Sequence, residues 1–206
     1  MPRGHATPDA PELPATAWAV LGLLSFGREL SGYDLKKWAD HSLRFFYWSP
    51  AASQIYAELR RLEDRGLARS RVVGEDGLRP KRLYRITAAG TRALRAWVHD
   101  ADAGPTVLKH PTLLRVWLGH LSDPTELRAL VRDHRERAVA DLADARHAHA
   151  GAPREWPYTV AVTTWAVRHA EAEIDLADAL LADLDRVARG ERRGSSTRRA
   201  PQPAAR

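Results

Sequence analysis

The spacing of apolar residues changes character several times along the chain, and each change marks an element. Between Leu13 and Phe26 the chain is apolar nearly all round, with Trp18, Leu21 and Leu24 among its large residues, which predicts a helix buried on more than one side. Ser31 followed three residues later by Asp34 is a helix-start signal resembling a capping box, and Leu35 and Trp38 carry the apolar face of the helix it opens. A third helix is predicted from Ser49 to Gly66, with Ser49 as cap and Pro50 in the first helical position, where no backbone donor is needed. Gly66 suits its left-handed C-terminal cap. Inside it Ile55, Leu59 and Leu62 share one buried stripe, while Ser53, Ala57, Arg60 and Asp64 face away and Gln54, Tyr56 and Arg61 lie on the flanks.

After Gly66 the helical period gives way to short runs. Leu67 to Val73 and Lys81 to Ile86 read as two strands, separated by the turn residues Gly74, Asp76 and Gly77. Thr87 caps a following helix with Leu94, Trp97 and Val98 as apolar positions, and the stretch AGPT at 103 to 106 reads as a domain boundary. Beyond it every segment is helical. Leu113, Leu114, Val116, Trp117 and Leu118 form a short apolar helix, and SDP at 122 to 124 starts the next. There Leu127, Val131, His134, Ala138, Leu142 and Ala145 alternate in steps of four and three, a seam suited to a partner helix. A final long helix carries Trp165, Leu176, Leu180, Leu184 and Val187. The expected domains are 13–103 and 106–188, with 1–12 and 189–206 as disordered tails, rich in Pro at one end and in Arg, Gly, Ser and Pro at the other.

This order places a helix with a small, polar, partly basic outer face directly before a hairpin whose loop ends in Arg79, Pro80, Lys81 and Arg82. Small residues allow a helix to approach a DNA major groove closely, Gln and Arg read base edges, and a cationic hairpin tip can lie over phosphates. The residues expected to contact DNA are Tyr33, Ser53, Gln54, Tyr56, Ala57, Arg60, Arg61, Arg79, Lys81 and Arg82. Each piece alone also fits an ordinary amphipathic helix or a solvated charge cluster; the order of the pieces carries the reading. The fold class is mostly α: a winged helix-turn-helix DNA-binding domain with a small β-hairpin wing, then an all-α dimerisation domain.

The segments SGYDL, SQIYAELRRLEDRGL and RPKRLYRITAAG resemble the winged-helix domain of the PadR family of bacterial transcription regulators. The match rests on Gly32 and Tyr33; on Ile55, Tyr56, Leu59, Arg61, Leu62, Glu63, Gly66 and Leu67; and on Tyr84, Ile86, Thr87 and Gly90, spanning Leu13 to Val98. Ala57 departs from it, standing where the family often has Pro, which changes the surface offered to DNA. The resemblance implies a dimeric DNA-binding repressor of the longer form, whose C-terminal helices make the dimer. Internal packing of those helices is the simpler reading, and the two can coexist. Protein-interaction and RNA-binding modules are the alternative functions.

Composition narrows this further. A net charge of +6 and a pI near 10.0 favour polyanionic partners. Zero cysteines exclude disulfides, thiolate zinc sites and a cysteine nucleophile. No apolar run is long enough for a membrane helix and no signal-peptide core is present, so the expected location is the cytoplasm. Neither a phosphate loop nor a nucleophile motif is found, so no enzyme, cofactor or metal site is expected; His147 and His149 do not share a helix face, and Glu171, Glu173 and Asp175 read as solvated. Seven Trp in 206 residues is a high number. Trp18, Trp38, Trp97, Trp117 and Trp165 are either core residues or the lining of a site for a small aromatic effector.

Overall fold

The computed structural model describes residues 11–74, 80–100 and 104–197, with side chains given as far as Gly190. Two compact units divide between Thr106 and Val107.

In the first unit, α1 (Ala15–Leu24), α2 (Gly32–His41) and α3 (Ala52–Asp64) precede strands β1 (Ala68–Val73) and β2 (Lys81–Ile86) and then α4 (Ala88–Asp100). Its core joins Val20, Leu21 and Leu24 of α1, Leu35 of α2 and the Ile55, Leu59 and Leu62 stripe of α3, all under 2 % exposed. The capping box at α2 forms as expected: the Asp34 N–H donates to the Ser31 hydroxyl at 3.2 Å, and the Ser31 N–H donates to the Asp34 carboxylate at 2.9 Å. β1 and β2 pair antiparallel, Ala68 opposite Ile86 and Val73 opposite Lys81. Leu30 adds a bridge to Tyr84, with N–H to O distances of 3.0 and 2.8 Å in the two directions. The hairpin is thereby anchored to the segment that leads into α2.

The second unit is a helical hairpin with a short helix beside it. α5 (Pro111–Trp117) leads to α6 (Pro124–Ala150), capped by Asp123, whose carboxylate accepts from the Thr125 N–H at 2.7 Å. α7 (Pro157–Thr197) returns antiparallel along α6. Surface ion pairs accompany the register that their buried faces set: Arg128 with Asp185, Arg135 with Asp178 at 2.6 Å and Arg146 with Glu171 at 2.8 Å.

Two boundaries and one seam differ from the sequence reading. α1 is shorter than Leu13 to Phe26 because Pro14 occupies its cap and the chain turns at Gly27, whose φ is +79°. The seam of α6 is occupied within the chain: Leu127, Val131, Ala138, Leu142 and Ala145 are buried in a hairpin with α7. α7 contributes the small residues Thr163, Ala166, Ala170 and Ala177 to its buried positions, while Trp165, Leu176 and Val187 are more than half exposed. Finally, α7 continues past Ala188 to Thr197. Arg and Glu are good helix formers, and one Gly costs only about 1 kcal/mol in a helix, so Gly190 does not end it.

Candidate nucleic-acid interface

The start of α3 differs from its sequence signature in an informative way. Ala51 is the cap and Pro50 is fully buried before it. Ser49 is tied to α2 instead, donating to Asp40 and accepting from Lys36 at 3.0 Å, which places its hydroxyl away from the first turn of α3. Gln54 supplies half of a capping box, its side-chain oxygen accepting from the Ala51 N–H at 2.9 Å. At the other end Gly66 has φ +68°, and the N–H groups of Gly66 and Leu67 return to the carbonyls of Glu63 and Leu62 at 2.9 and 2.8 Å. This is a Schellman closure, which needs a residue free of a Cβ at the left-handed position.

Between these ends Ser53, Gln54, Tyr56, Ala57, Arg60 and Arg61 are exposed. Arg61 leans back along the helix to the buried Glu58, 3.3 Å away; Arg60 has no such tie among the described residues. Tyr56 lies with its ring over the first turn of α2, where a Cβ on Gly32 would come within 2.3 Å of a ring carbon. A glycine at 32 therefore lets Tyr56 join α2 to α3 at a close approach. Tyr33 beside it is 71 % exposed.

The wing is tied to the same surface by charged contacts. Glu63 at the end of α3 accepts from the Ser70 N–H at 3.0 Å and its hydroxyl at 2.6 Å, and Arg82 lies 3.7 Å from the same carboxylate. Lys81 pairs with Asp34 at 3.0 Å. Burial acts to raise the Asp34 carboxyl, but the Ser31 hydroxyl and N–H together with the Lys81 ammonium outweigh it and hold the group below the ordinary aspartate value. Arg71 on β1 grips Glu29 through Nε at 3.0 and 3.1 Å. Where β2 ends, the Thr87 hydroxyl donates to the Gly66 carbonyl at 2.7 Å and accepts from the Gly90 N–H at 3.0 Å, so one side chain both caps α4 and fastens it to the end of α3. Arg79 lies outside the described residues, as do the turn residues Asp76 and Gly77.

The five tryptophans singled out are divided between the two units. Trp18 is buried in the first core and stacks on Trp97, ring centres 5.4 Å apart, while Trp38 meets the edge of Phe26. In the second unit Trp165 stacks on His169 at 4.8 Å. Trp117 is 78 % exposed, beside a cleft of about 660 Å³ that Leu127, Leu180 and Leu184 also line.

One cluster in the second unit escaped sequence reasoning. Glu173, read from the sequence as solvated, accepts bonds from His110 and His134 at 2.9 and 2.8 Å, with its side chain 24 % exposed. Burial acts to raise its carboxyl, but the two imidazoles outweigh this and hold it below the ordinary glutamate value. The three groups come from three segments far apart in sequence, so no local spacing could reveal them.

A three-helix unit whose third helix presents a polar face, followed by an anchored hairpin, is a winged helix-turn-helix, a DNA-binding class of fold. Residues 20–96 match the model of the transcriptional regulator PadR-like family, and residues 108–185 match the C-terminal domain described as virulence activator alpha. The negative transcriptional regulator PadR of Bacillus subtilis is 32 % identical over 62 % of this chain and 69 % of its own length. Its crystal structure in complex with operator DNA is similar with a TM-score of 0.70 at 27 % identity, covering 83 % of this chain and 99 % of that one. The same regulator in complex with p-coumaric acid gives 0.61 at 26 % identity, covering 84 % and 99 %. The chain belongs to the PadR-like family of transcriptional regulators; these are regulators rather than enzymes. Among the described residues no helix is long and apolar enough to cross a membrane.

Proposed function

We propose that this regulator is a repressor that binds an inverted-repeat operator as a homodimer and leaves it when a small aromatic effector binds. The observation that carries the reading is the outward face of α3, with Ser53, Gln54, Ala57 and Arg60 exposed beside a wing that carries Lys81 and Arg82. Small side chains at the N-terminal end admit the helix to a major groove, and Arg60 is the residue to read a base there. Tyr33 and Tyr56 flank the face, and Arg61 and Arg79, the latter outside the described residues, are assigned to phosphate contacts.

The dimer is supported by apolar surface that one chain leaves uncovered. Leu114 and Trp117 of α5 and Trp165 and Leu176 of α7 are all more than half exposed, large apolar groups that gain by burial against a partner. Two-fold pairing through them would supply the two readers an inverted repeat needs. Effector release is supported by the Bacillus subtilis relative, solved with both operator DNA and p-coumaric acid. Trp18, Trp38, Trp97, Trp117 and Trp165 are the reporters of such binding; Trp18 serves the core as well.

Operator titration with two variants tests the docking. Arg60→Ala is expected to weaken binding by about 1 to 3 kcal/mol and to relax one base position, whereas Lys81→Ala should weaken binding to every sequence and reduce the salt slope by about one. Unchanged affinity in both at moderate salt would remove α3 and the wing from the interface. Phenolic acids added to the same assay should quench Trp emission and release the operator together; quenching without release ends the effector reading.

A further inference from the structure

We propose that His110, His134 and Glu173 form a binding site for a divalent transition metal, Zn²⁺ being the best match, within the helical unit. Two imidazole Nε2 atoms converge on a single carboxylate oxygen from 2.9 and 2.8 Å, and the three ligating atoms lie within 4.8 Å of one another. His110 stands at the cap of α5, His134 on α6 and Glu173 on α7, so three helical elements, not one mobile loop, hold the donors. The side chains are between 14 and 24 % exposed, sheltered yet reachable from a cleft of about 530 Å³ that also holds Thr112, Arg115, Arg137 and His169.

The donor set selects the metal. Two neutral imidazoles and a carboxylate suit Zn²⁺ and its neighbours, while Mg²⁺ and Ca²⁺ prefer oxygen alone. Ligands about 2.0 to 2.2 Å from a tetrahedral ion stand about 3.3 Å from one another, so each imidazole nitrogen must draw back from the Glu173 oxygen by a few tenths of an ångström, while the two nitrogens, which lie within 4.8 Å of one another, settle at that same spacing. Three protein ligands leave a fourth position toward the cleft. Arg115 and Arg137 favour an anion there, such as hydroxide or chloride, while their own charge opposes the cation and moderates its affinity.

Metal binding has a structural counterpart at α5. His110 Nδ1 accepts from the Leu113 N–H at 3.2 Å, which puts the ring proton on Nε2. Coordination through Nε2 displaces that proton; for the ring to remain neutral, Nδ1 takes up one and can no longer accept from Leu113. The proton count of His110 is unchanged, and the bond to the first turn of α5 is given up. Metal occupancy and the cap of α5 therefore exclude one another.

The test uses the full chain, free of any affinity tag and stripped with a chelator. Zn²⁺ is titrated against a chromogenic chelator, and Co²⁺ is added separately to read the absorption of a four-coordinate site. One ion per chain is expected, with affinity at least about tenfold lower in Glu173→Gln and in His134→Ala. The His147→Ala, His149→Ala double variant should bind as the parent does. Hydrogen exchange at the Leu113 amide should accelerate on metal addition. Circular dichroism establishes that each variant is folded; should Glu173→Gln fail this, His134→Asn carries the comparison. The proposal is overturned if no stoichiometric ion binds, or if folded variants retain the parent's affinity.

Discussion

A chain ending at Gly104 is expected to fold as a winged helix, to sediment as a monomer and to bind the operator about 10² to 10⁴-fold more weakly than the full protein. Among the described residues the buried core of the first unit runs from Ala17 to Ala93, with Leu13 and Leu94 packed at its limits, all within the part retained. Its stability is therefore its own. The uncovered Leu114, Trp117, Trp165 and Leu176 all lie in the part removed, and with them would go the proposed means of pairing two readers. Each half-site contact then acts alone instead of raising the effective concentration of its twin. Analytical sedimentation of the shortened chain, paired with operator titration at fixed salt, checks this; a dimer, or undiminished affinity, would place the pairing surface in the first unit.

The second large effect is expected at Gly90. A Cβ there would lie 2.1 Å from the Leu67 carbonyl oxygen and 2.9 Å from a side-chain carbon of Ile86. The obstacle is backbone, fixed on one side by the Thr87 N–H, which donates to the same oxygen at 3.0 Å, and on the other by the closure of α3. It cannot swing aside as a side chain would. Gly90→Ala should cost about 3 kcal/mol, near the top of the usual range for overpacking, and lower the melting temperature of the first unit by more than about 10 °C. Gly32→Ala is the instructive contrast, because its neighbour is the Tyr56 ring, which can rotate. Thermal unfolding of Gly90→Ala within 1 or 2 °C of the parent would show that α4 shifts freely.

The parts of this fold legible in the sequence are those decided within a few residues. The stripe of Ile55, Leu59 and Leu62, the reciprocal bonds of Ser31 and Asp34, the left-handed Gly66 and the cap at Thr87 all follow from local spacing. Ser49 shows the limit of that logic. Its residue type suits a cap, but Asp40 and Lys36 of the preceding helix hold its hydroxyl, and Pro50 is needed in the core. In the last helix the large apolar residues drew attention, yet alanines at 166, 170 and 177 form the buried row that meets α6. Small residues give little hydrophobic signal, so their face is the harder one to find. The meeting of His110, His134 and Glu173 depends on the register of two long helices, which the packing of their buried faces fixes and no single window contains.

Gln54 lends α3 a constraint on what kind of base edge it can favour. Its amide oxygen is turned inward to the Ala51 N–H at 2.9 Å, and that bond identifies which end of the amide is which. What remains turned outward is the NH₂ group, two donors. Recognition of adenine by glutamine uses the oxygen and the nitrogen together, accepting from N6 and donating to N7. A Gln54 that keeps its inward bond turns only donors outward, matched to guanine O6 and N7, adenine N7, thymine O4 or a phosphate. A Gln54 that turns its oxygen to adenine leaves the Ala51 N–H in need of another partner. If α3 enters the groove as proposed, the two-bond contact of glutamine with adenine therefore competes with the capping of the helix terminus, before any contact with the base is made.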